Sequence, residues 1–235
     1  MDDLTEDHHQ QLGERLLDTW RAAMRALVPG PRREHTPEVD SQVEDLGRDL
    51  LTRWHEPHRH YHGITHLAAG LGALAELGGD PLEVVAFWWH DAVHHNDKPT
   101  DEQQSAQLAR TALAGLLDST DIDEVARLVL LTINHDPAPD DGRGARMCDA
   151  DLALLAADPD QYLAHVAQLR RECPDVAELA WQRDRIAATG ALLNRPQLFW
   201  TPTGRRLWES PARRNLTDER RRLLNPSDDD EDPSA

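Results

Sequence analysis

The sequence predicts an all-α fold, a helical bundle in a single domain, from three observations. Apolar residues recur three and four positions apart along most of the chain, which is the spacing of one helix face. No segment combines alternating β-branched residues with hairpin turns, so strands are not predicted. A chain of 235 residues fits one large domain or two small ones, and we predict one domain over residues 1–225.

Four helices are predicted in the N-terminal part of the chain. Amphipathic helices cover residues 4–28 and 38–54, and Pro29-Gly30-Pro31 separates them. A third helix covers residues 64–77. A fourth begins at Pro81, because proline is tolerated in the first helical turn, and it runs into His90 and Asp91.

Two further helices are predicted from their start signals. Thr100 and Gln103 have capping-box spacing for a fifth helix that continues to Leu117. Asp121 and Glu124 mark the start of the sixth helix, whose apolar end is predicted to be buried.

The C-terminal part is predicted to be more irregular. Asp149 opens a short helix, and Pro159 and Pro174 stand where helices can begin. Residues 194–204 contain two prolines and a glycine and are predicted to form a long irregular connection. A last helix is predicted over residues 218–224.

The charge excludes several classes of function. The net charge of -18 argues against binding to a nucleic-acid polymer, although a small phosphorylated ligand stays compatible with a metal and a few arginines. Residues 226–235 include five successive acids and are predicted to form a disordered tail.

No apolar run reaches the roughly 20 residues that span a bilayer, so no membrane partner is expected. Two cysteines without disulfide spacing and an acidic N-terminus favour the cytoplasm.

A Trp-rich apolar run, residues 87–89, ends in the doublet His90-Asp91. Imidazole beside carboxylate is typical of a divalent metal site, and His94 returns to the face of His90 one turn later. Nine of the 13 histidines lie between His55 and His135, which favours a site over scattered surface imidazoles. The alternative is an ordinary hydrogen-bonded His-Asp pair.

A metal site built on a helical bundle takes its ligands from several helices. Besides His90 and Asp91, the candidates are His66 on the third helix and an aspartate near the start of a later one. Asp149 and Asp151 both qualify for that last position. They point about 200° apart on a helix, so only one of them can face the site.

The order H…HD…D resembles the HD superfamily of metal-dependent phosphohydrolases, and more closely a bacterial group of predicted hydrolases within it. The resemblance covers about residues 5–225. It implies a divalent metal, from among Mn, Mg, Fe, Co, Ni and Zn, and hydrolysis of a phosphate ester or anhydride. It also implies the ligands His66, His90, Asp91 and Asp151. The motifs that carry it are Tyr61-His62-Gly63-Ile64-Thr65-His66, Phe87-Trp88-Trp89-His90-Asp91, Asp101-Glu102-Gln103-Gln104-Ser105-Ala106, Asp149-Ala150-Asp151-Leu152 and Ala212-Arg213-Arg214-Asn215-Leu216.

With Asp151 as the ligand, Asp149 is expected to cap the helix that it opens. The chain departs from the family's pattern at His94 and His95, where an aromatic residue and an acid often follow. His94 is therefore a candidate for the catalytic base, and Arg59 for a clamp on the phosphate. The alternatives are a surface imidazole and a solvated loop arginine.

The sequence leaves the roles of two more histidines open. His62 either supports His66, binds a second metal or lies in a loop. His135 either joins a dinuclear site or interacts with the end of its helix.

The preferred function is a metal-dependent phosphohydrolase that acts on a small phosphorylated compound such as a nucleotide. The first alternative is a non-catalytic, metal-stabilised helical module that binds nucleotides or a protein. The second is a di-iron oxygenase. No oligomeric state is predicted.

Overall fold

Helix α4 (Pro81–Trp89) is buried along almost its whole length, and other helices pack around it. The computed structural model describes residues 3–28 and 36–225, and the side chains of residues 10–28 and 36–225. The other N-terminal helices are α1 (Asp3–Leu27), α2 (Pro37–Trp54) and α3 (Ile64–Glu76). Their bounds lie within a residue or two of the predicted ones.

The start of α4 is fixed by a capping box. The Asp80 carboxylate accepts from the backbone of Leu82 and Glu83, and the Glu83 carboxylate accepts from the backbone of Asp80. Arg146 donates two hydrogen bonds to buried Glu83, at 2.8 and 3.0 Å. The N-terminus of α4 is therefore tied to a later helix that also carries a site residue.

The remaining elements are also helical. In the described residues there is no strand, only an isolated bridge between Ala114 and Leu117, so the all-α prediction is confirmed. None of the described helices is both long and apolar enough to cross a membrane. The elements are α5 (Thr100–Leu113), α6 (Ser119–Leu131), α7 (Gly142–Leu152), a 3-10 turn (Ala153–Ala156), α8 (Pro159–Arg171), α9 (Glu178–Leu193), α10 (Pro202–Gly204), a π-helical turn (Arg205–Glu209) and α11 (Ser210–Leu224).

Several predicted bounds are wrong. Helix α5 ends four residues before Leu117, because the chain turns at Gly115, whose φ of 85° is costly for other residues. Helix α9 begins at Glu178 rather than near Pro174. The last helical run is continuous from Pro202, so it is much longer than the predicted residues 218–224.

The prediction that Asp149 opens and caps a helix is also wrong. Helix α7 begins seven residues earlier, at Gly142, and the Asp141 side chain caps it by accepting from the backbone of Gly144 at 2.8 Å. Asp149 is buried inside α7. Its carboxylate accepts from the backbone of Trp200 and Thr201 at 2.6 and 2.8 Å, and from the Thr201 hydroxyl at 2.7 Å.

Two apolar clusters form the core. The larger one contains fully buried Trp20, Trp54 and Trp88, and the smaller one, in the C-terminal part, includes Phe199. Trp208 packs against both clusters, so the two are continuous. The predicted acidic tail, residues 226–235, lies outside the described residues.

Candidate metal centre

Four side chains from three helices meet in one place, and they are the four predicted metal ligands. His66 lies on α3, His90 and Asp91 follow α4, and Asp151 is on α7. His66 Nε2 lies 3.3 Å from His90 Nε2 and 3.1 Å from Asp151 Oδ1. His90 Nε2 lies 3.1 Å from Asp91 Oδ2 and 3.4 Å from Asp151 Oδ1. We call these four residues the metal cluster.

The orientation of His90 follows from the end of α4. Its Nδ1 hydrogen-bonds to the backbone oxygen of Phe87 at 2.8 Å and therefore donates there. The other ring nitrogen, Nε2, then points at the two carboxylates. A backbone carbonyl on the far side of the ring is a common way to fix the tautomer of a metal-binding histidine.

The donor set fits a divalent cation. The ligand atoms of His66, His90 and Asp151 all lie within 4.8 Å of one another. Asp91 Oδ2 is buried, and its contact with His90 Nε2 at 3.1 Å lacks the geometry of a hydrogen bond. A cation beside the two imidazoles would give this carboxylate oxygen a direct partner. These residues can therefore hold a metal ion.

The electrostatics of the cluster favour positive charge. Burial alone would lower the pKa of His90, but Asp91 and Asp151 outweigh it and raise the pKa to about 10. Burial alone would raise the pKa of Asp91 and of Asp151, but His90 and the neighbouring imidazoles lower both. The carboxylates thus stay ionised and attract either a proton or a metal cation.

A second group of potential ligands lies next to the metal cluster. The ligand atoms of His62, Asp91 and His94 also lie within 4.8 Å of one another, and we call these three residues the side cluster. The rings of His62 and His94 are 4.2 Å apart. Asp91 belongs to both clusters, so a single carboxylate separates the two potential sites.

Glu172, at the end of α8, was missed in the sequence. Its Oε1 accepts from three successive backbone N–H groups, those of His60, Tyr61 and His62, at 2.7, 2.7 and 2.8 Å. Its Oε2 lies 2.7 Å from His62 Nδ1 and 3.5 Å from His94 Nε2. Burial would raise the pKa of Glu172, but these imidazoles and N–H groups lower it well below its usual range.

One signal could have pointed to Glu172. It is an acid at the C-terminal end of a helix, where the helix dipole disfavours negative charge. The residues that donate hydrogen bonds to its carboxylate, His60, Tyr61 and His62, are more than a hundred residues away in sequence, so the sequence alone could not identify them. Burial lowers the pKa of His62 in spite of Glu172, which favours the neutral imidazole that binds metals.

Arg59 does not have the predicted role of phosphate clamp. Its side chain is fully buried, and its guanidinium donates to the Glu56 carboxylate and to the backbone oxygens of Asp91 and His62, at 2.9, 2.6 and 3.3 Å. It also lies over the Trp54 ring. Its donors point into the protein. They hold the backbone of Asp91 and His62 in place and are not directed at a phosphate.

His135 contacts the metal cluster rather than the dipole of its helix. Its Nε2 lies 2.6 Å from Asp151 Oδ2, while the other oxygen, Oδ1, faces His66. The backbone of His135 has a left-handed φ of 51°, and its carbonyl accepts from Trp200 Nε1 at 3.1 Å. His135 therefore orients Asp151.

A cavity of about 470 Å³ opens beside both clusters. Asp91, His94 and Asp151 line one side, and Trp181 and Arg185 of α9 line another. Arg185 is bound to the Glu219 carboxylate by two hydrogen bonds of 2.8 Å. The cavity has the size of a small-molecule site.

Other residues named in the sequence support the structure. Ser105 accepts from the backbone of Val93 at 2.9 Å, just after the His-Asp doublet. Asn215 donates to the backbone oxygens of Leu155 and Ala157, and Arg213 donates to those of Leu193 and Arg195.

Comparison with family models, curated proteins and solved structures gives no match for this chain. The resemblance to the HD superfamily therefore rests on the motifs alone. The geometry of the two clusters and the cavity is the basis for the functional argument.

Proposed function

We propose that this protein is a metal-dependent phosphohydrolase of the HD type that acts on a small phosphorylated compound. The observation that carries the proposal is the meeting of His66, His90, Asp91 and Asp151, from three helices, at the wall of a small-molecule cavity. Apolar packing does not explain it, because buried carboxylates and imidazoles must pair with one another or bind a cation.

The cluster residues would hold the ion, and two of them carry the charge that balances it. Asp91 and Asp151 together would neutralise a divalent cation, while His66 and His90 would add neutral donors. An ion held by these residues would supply Lewis-acid chemistry, by polarising a phosphoryl oxygen and lowering the pKa of a bound water. His135 and the Phe87 carbonyl keep the ligand atoms of Asp151 and His90 directed into the site.

The cavity supports a small anionic substrate. Lys98 and Arg185 line it, and the ring of Trp181, which lies against the Arg185 guanidinium on α9, adds an apolar surface. Asp101 and Glu102 line it as well, so the wall carries more acids than bases. A phosphate would be repelled by that wall without a bound cation, which agrees with a metal-dependent reaction.

The proposal is tested by hydrolysis assays on the full chain. The protein is stripped with a chelator, then assayed with p-nitrophenyl phosphate and a panel of nucleoside phosphates, before and after addition of Mn²⁺, Co²⁺, Ni²⁺, Fe²⁺, Mg²⁺ or Zn²⁺. We expect phosphate release only after an ion is added. Release that is equally fast in the stripped protein would overturn the proposal, and metal binding without release from any substrate would favour the non-catalytic module.

A further inference from the structure

Arg185 of α9 lines the cavity beside the metal cluster, and a buried carboxylate holds its guanidinium in place. Glu219 of α11 is 3% exposed and accepts from Arg185 Nε and Nη2, both at 2.8 Å. The hydroxyl of buried Tyr162, on α8, donates to Glu219 Oε2. Three C-terminal helices therefore combine to fix the position of a single guanidinium at the cavity wall.

One edge of this guanidinium is available to a ligand. Glu219 occupies Nε and Nη2 of Arg185, whereas Nη1 makes no hydrogen bond to the described residues. The side chain of Arg185 is 18% exposed. A guanidinium presents its donors in a planar fork, so one edge can bind a carboxylate of the protein while another edge binds a second anion.

The tryptophan next to Arg185 in the cavity wall is held between two arginine contacts. The guanidinium carbons of Arg185 and Arg170 lie 5.8 and 5.6 Å from the centre of the Trp181 ring. Arg170 is itself bound to the backbone oxygens of Cys173 and Val176, at 2.6 and 2.9 Å. This wall is therefore ordered before a ligand arrives, and little side-chain entropy would be lost on binding.

The other lysine–carboxylate pair of the cavity is less suited to an anion. Lys98 Nζ lies 3.1 Å from Glu102 Oε1, and both residues line the cavity, so an anion there would meet both charges. Glu219, in contrast, does not line the cavity within the described residues. Of the Arg185–Glu219 pair, only the positive member faces the ligand.

We propose that the substrate carries a second anionic group, a carboxylate or a further phosphate, and that Arg185 binds this group while the metal cluster binds the phosphate that is hydrolysed. Both positions lie in one cavity of about 470 Å³, so a single small molecule can contact them together. This inference rests on the proposed function, because that function places the hydrolysed phosphate at the metal cluster. Arg185 is thus a residue that determines specificity.

The test compares matched pairs of substrates on the full chain loaded with Mn²⁺. Phenyl phosphate is paired with carboxyphenyl phosphate, and fructose phosphate with fructose bisphosphate, so the two pairs separate a carboxylate from a phosphate as the second anion. We expect the wild type to have a lower KM for the doubly anionic member of at least one pair. The difference should be about 10-fold or more, the size expected from a hydrogen bond between charged groups.

Arg185→Gln should remove most of this preference, because the amide keeps a polar side chain but loses the charge. We expect the KM of the preferred doubly anionic compound to rise about 10-fold or more, with a smaller change for its singly anionic partner. The control is Arg206→Gln, which removes an exposed arginine outside the cavity and should keep the preference. Circular dichroism checks folding, and the preference of the wild type tests the inference without any variant.

Calorimetry of the same compounds on the Mn²⁺-loaded protein separates this inference from the proposed function. Tighter binding of the doubly anionic compounds without any phosphate release would overturn the proposed function and retain the role of Arg185. Hydrolysis with no preference in either pair would overturn this inference and leave the proposed function standing. An equal rise in KM for both members of each pair in Arg185→Gln would also overturn it, because Arg185 would then only support the fold.

Discussion

At the scale of single residues, Asp149 and Asp151 show how two acids in one helix do different work. They are about 200° apart around α7. Asp151 faces the imidazoles of His66 and His135, whereas Asp149 holds the backbone at Trp200 and Thr201. One therefore belongs to the metal cluster, and the other joins α7 to the start of α10.

Asp151→Asn is predicted to abolish metal-dependent hydrolysis while the protein stays folded, with some loss of stability because the amide cannot pair with both His66 and His135. The change removes one of the two negative charges that would balance the ion, while the side chain keeps its size. We expect a loss of activity of about 100-fold or more. Mutating a residue that only hydrogen-bonds to a metal ligand costs up to about 100-fold, and a ligand should matter at least as much. Activity and urea unfolding are compared with Asp160→Asn, an exposed control in α8. Activity within a few-fold of wild type would remove Asp151 from the site.

Asp149→Asn is predicted to destabilise the fold. The amide can accept on only one atom, so a buried N–H of Trp200 or Thr201 would face another donor, at a cost of about 1–3 kcal/mol. The free energy of unfolding is measured in urea, and the Mn²⁺ content of the folded protein should stay unchanged. Unchanged stability would show that these hydrogen bonds are not important.

Residue roles were predictable from the sequence only where a local pattern marks them. The His90-Asp91 doublet after three apolar aromatic residues is such a pattern, and the structure places it with His66 and Asp151. The predicted role of Asp149 was wrong because no residue near it in the sequence indicates that α7 begins at Gly142. Glu172 was missed because its hydrogen bonds are made across more than a hundred residues.

At the scale of elements, α1 and α2 are joined by a charge network at their surface. Arg21 binds the Glu44 carboxylate through two nitrogens, at 2.7 and 2.8 Å, and Arg48 reaches the same carboxylate at 2.7 Å. The hydrogen bond from Arg21 is the main reason that the pKa of Glu44 is lowered. This pairing complements the apolar contact between the two helices.

Glu44→Gln is predicted to destabilise the protein in a pH-dependent way. Because the pKa of Glu44 is lowered by folding, its contribution is present above the unfolded pKa, about 4.3, and is lost as the pH falls through the folded value. We expect a cost of about 0.5–1 kcal/mol at neutral pH that shrinks below about pH 4. Urea unfolding at both pH values measures it, with Glu76→Gln as the exposed control. An equal cost at both would contradict the account.

Helix bounds were predictable where start and stop residues agree with the apolar pattern, as at Asp80-Pro81 for α4. They were not predictable in the C-terminal part. There, Pro211 stands inside a continuous helical run, directly after a π-helical turn. Proline and Gly204 are ordinary signals of a break, and only tertiary packing makes the run continuous.

At the scale of the whole molecule, the candidate metal centre lies close to hydrogen bonds that join the C-terminal helices to the rest of the chain. Glu172 connects the end of α8 to the loop before α3, and Asp149 connects α7 to α10. Both acids are buried: Glu172 contacts His62 of the side cluster, and Asp149 is two residues from Asp151 of the metal cluster. The site therefore depends on both apolar clusters, and it could not form from the N-terminal helices alone.

Deletion of residues 227–235 is predicted to leave hydrolysis and the melting temperature almost unchanged. The segment is acidic and contains no apolar side chain large enough to bury useful area. Thermal unfolding and the phosphatase assay compare the truncated and full chains. A fall in melting temperature of more than a few degrees would show that the tail docks on the domain.

The most direct test of the metal centre is the metal content of Asp91→Ala. Wild type, Asp91→Ala and the exposed control Asp97→Ala are loaded with Mn²⁺, desalted and measured by elemental analysis, with circular dichroism as the check on folding. Asp91 supplies one of the two carboxylates of the metal cluster, so we expect the variant to stay helical but to lose its bound metal and its hydrolysis, while Asp97→Ala keeps both. Full metal content in helical Asp91→Ala would contradict the assignment of this site.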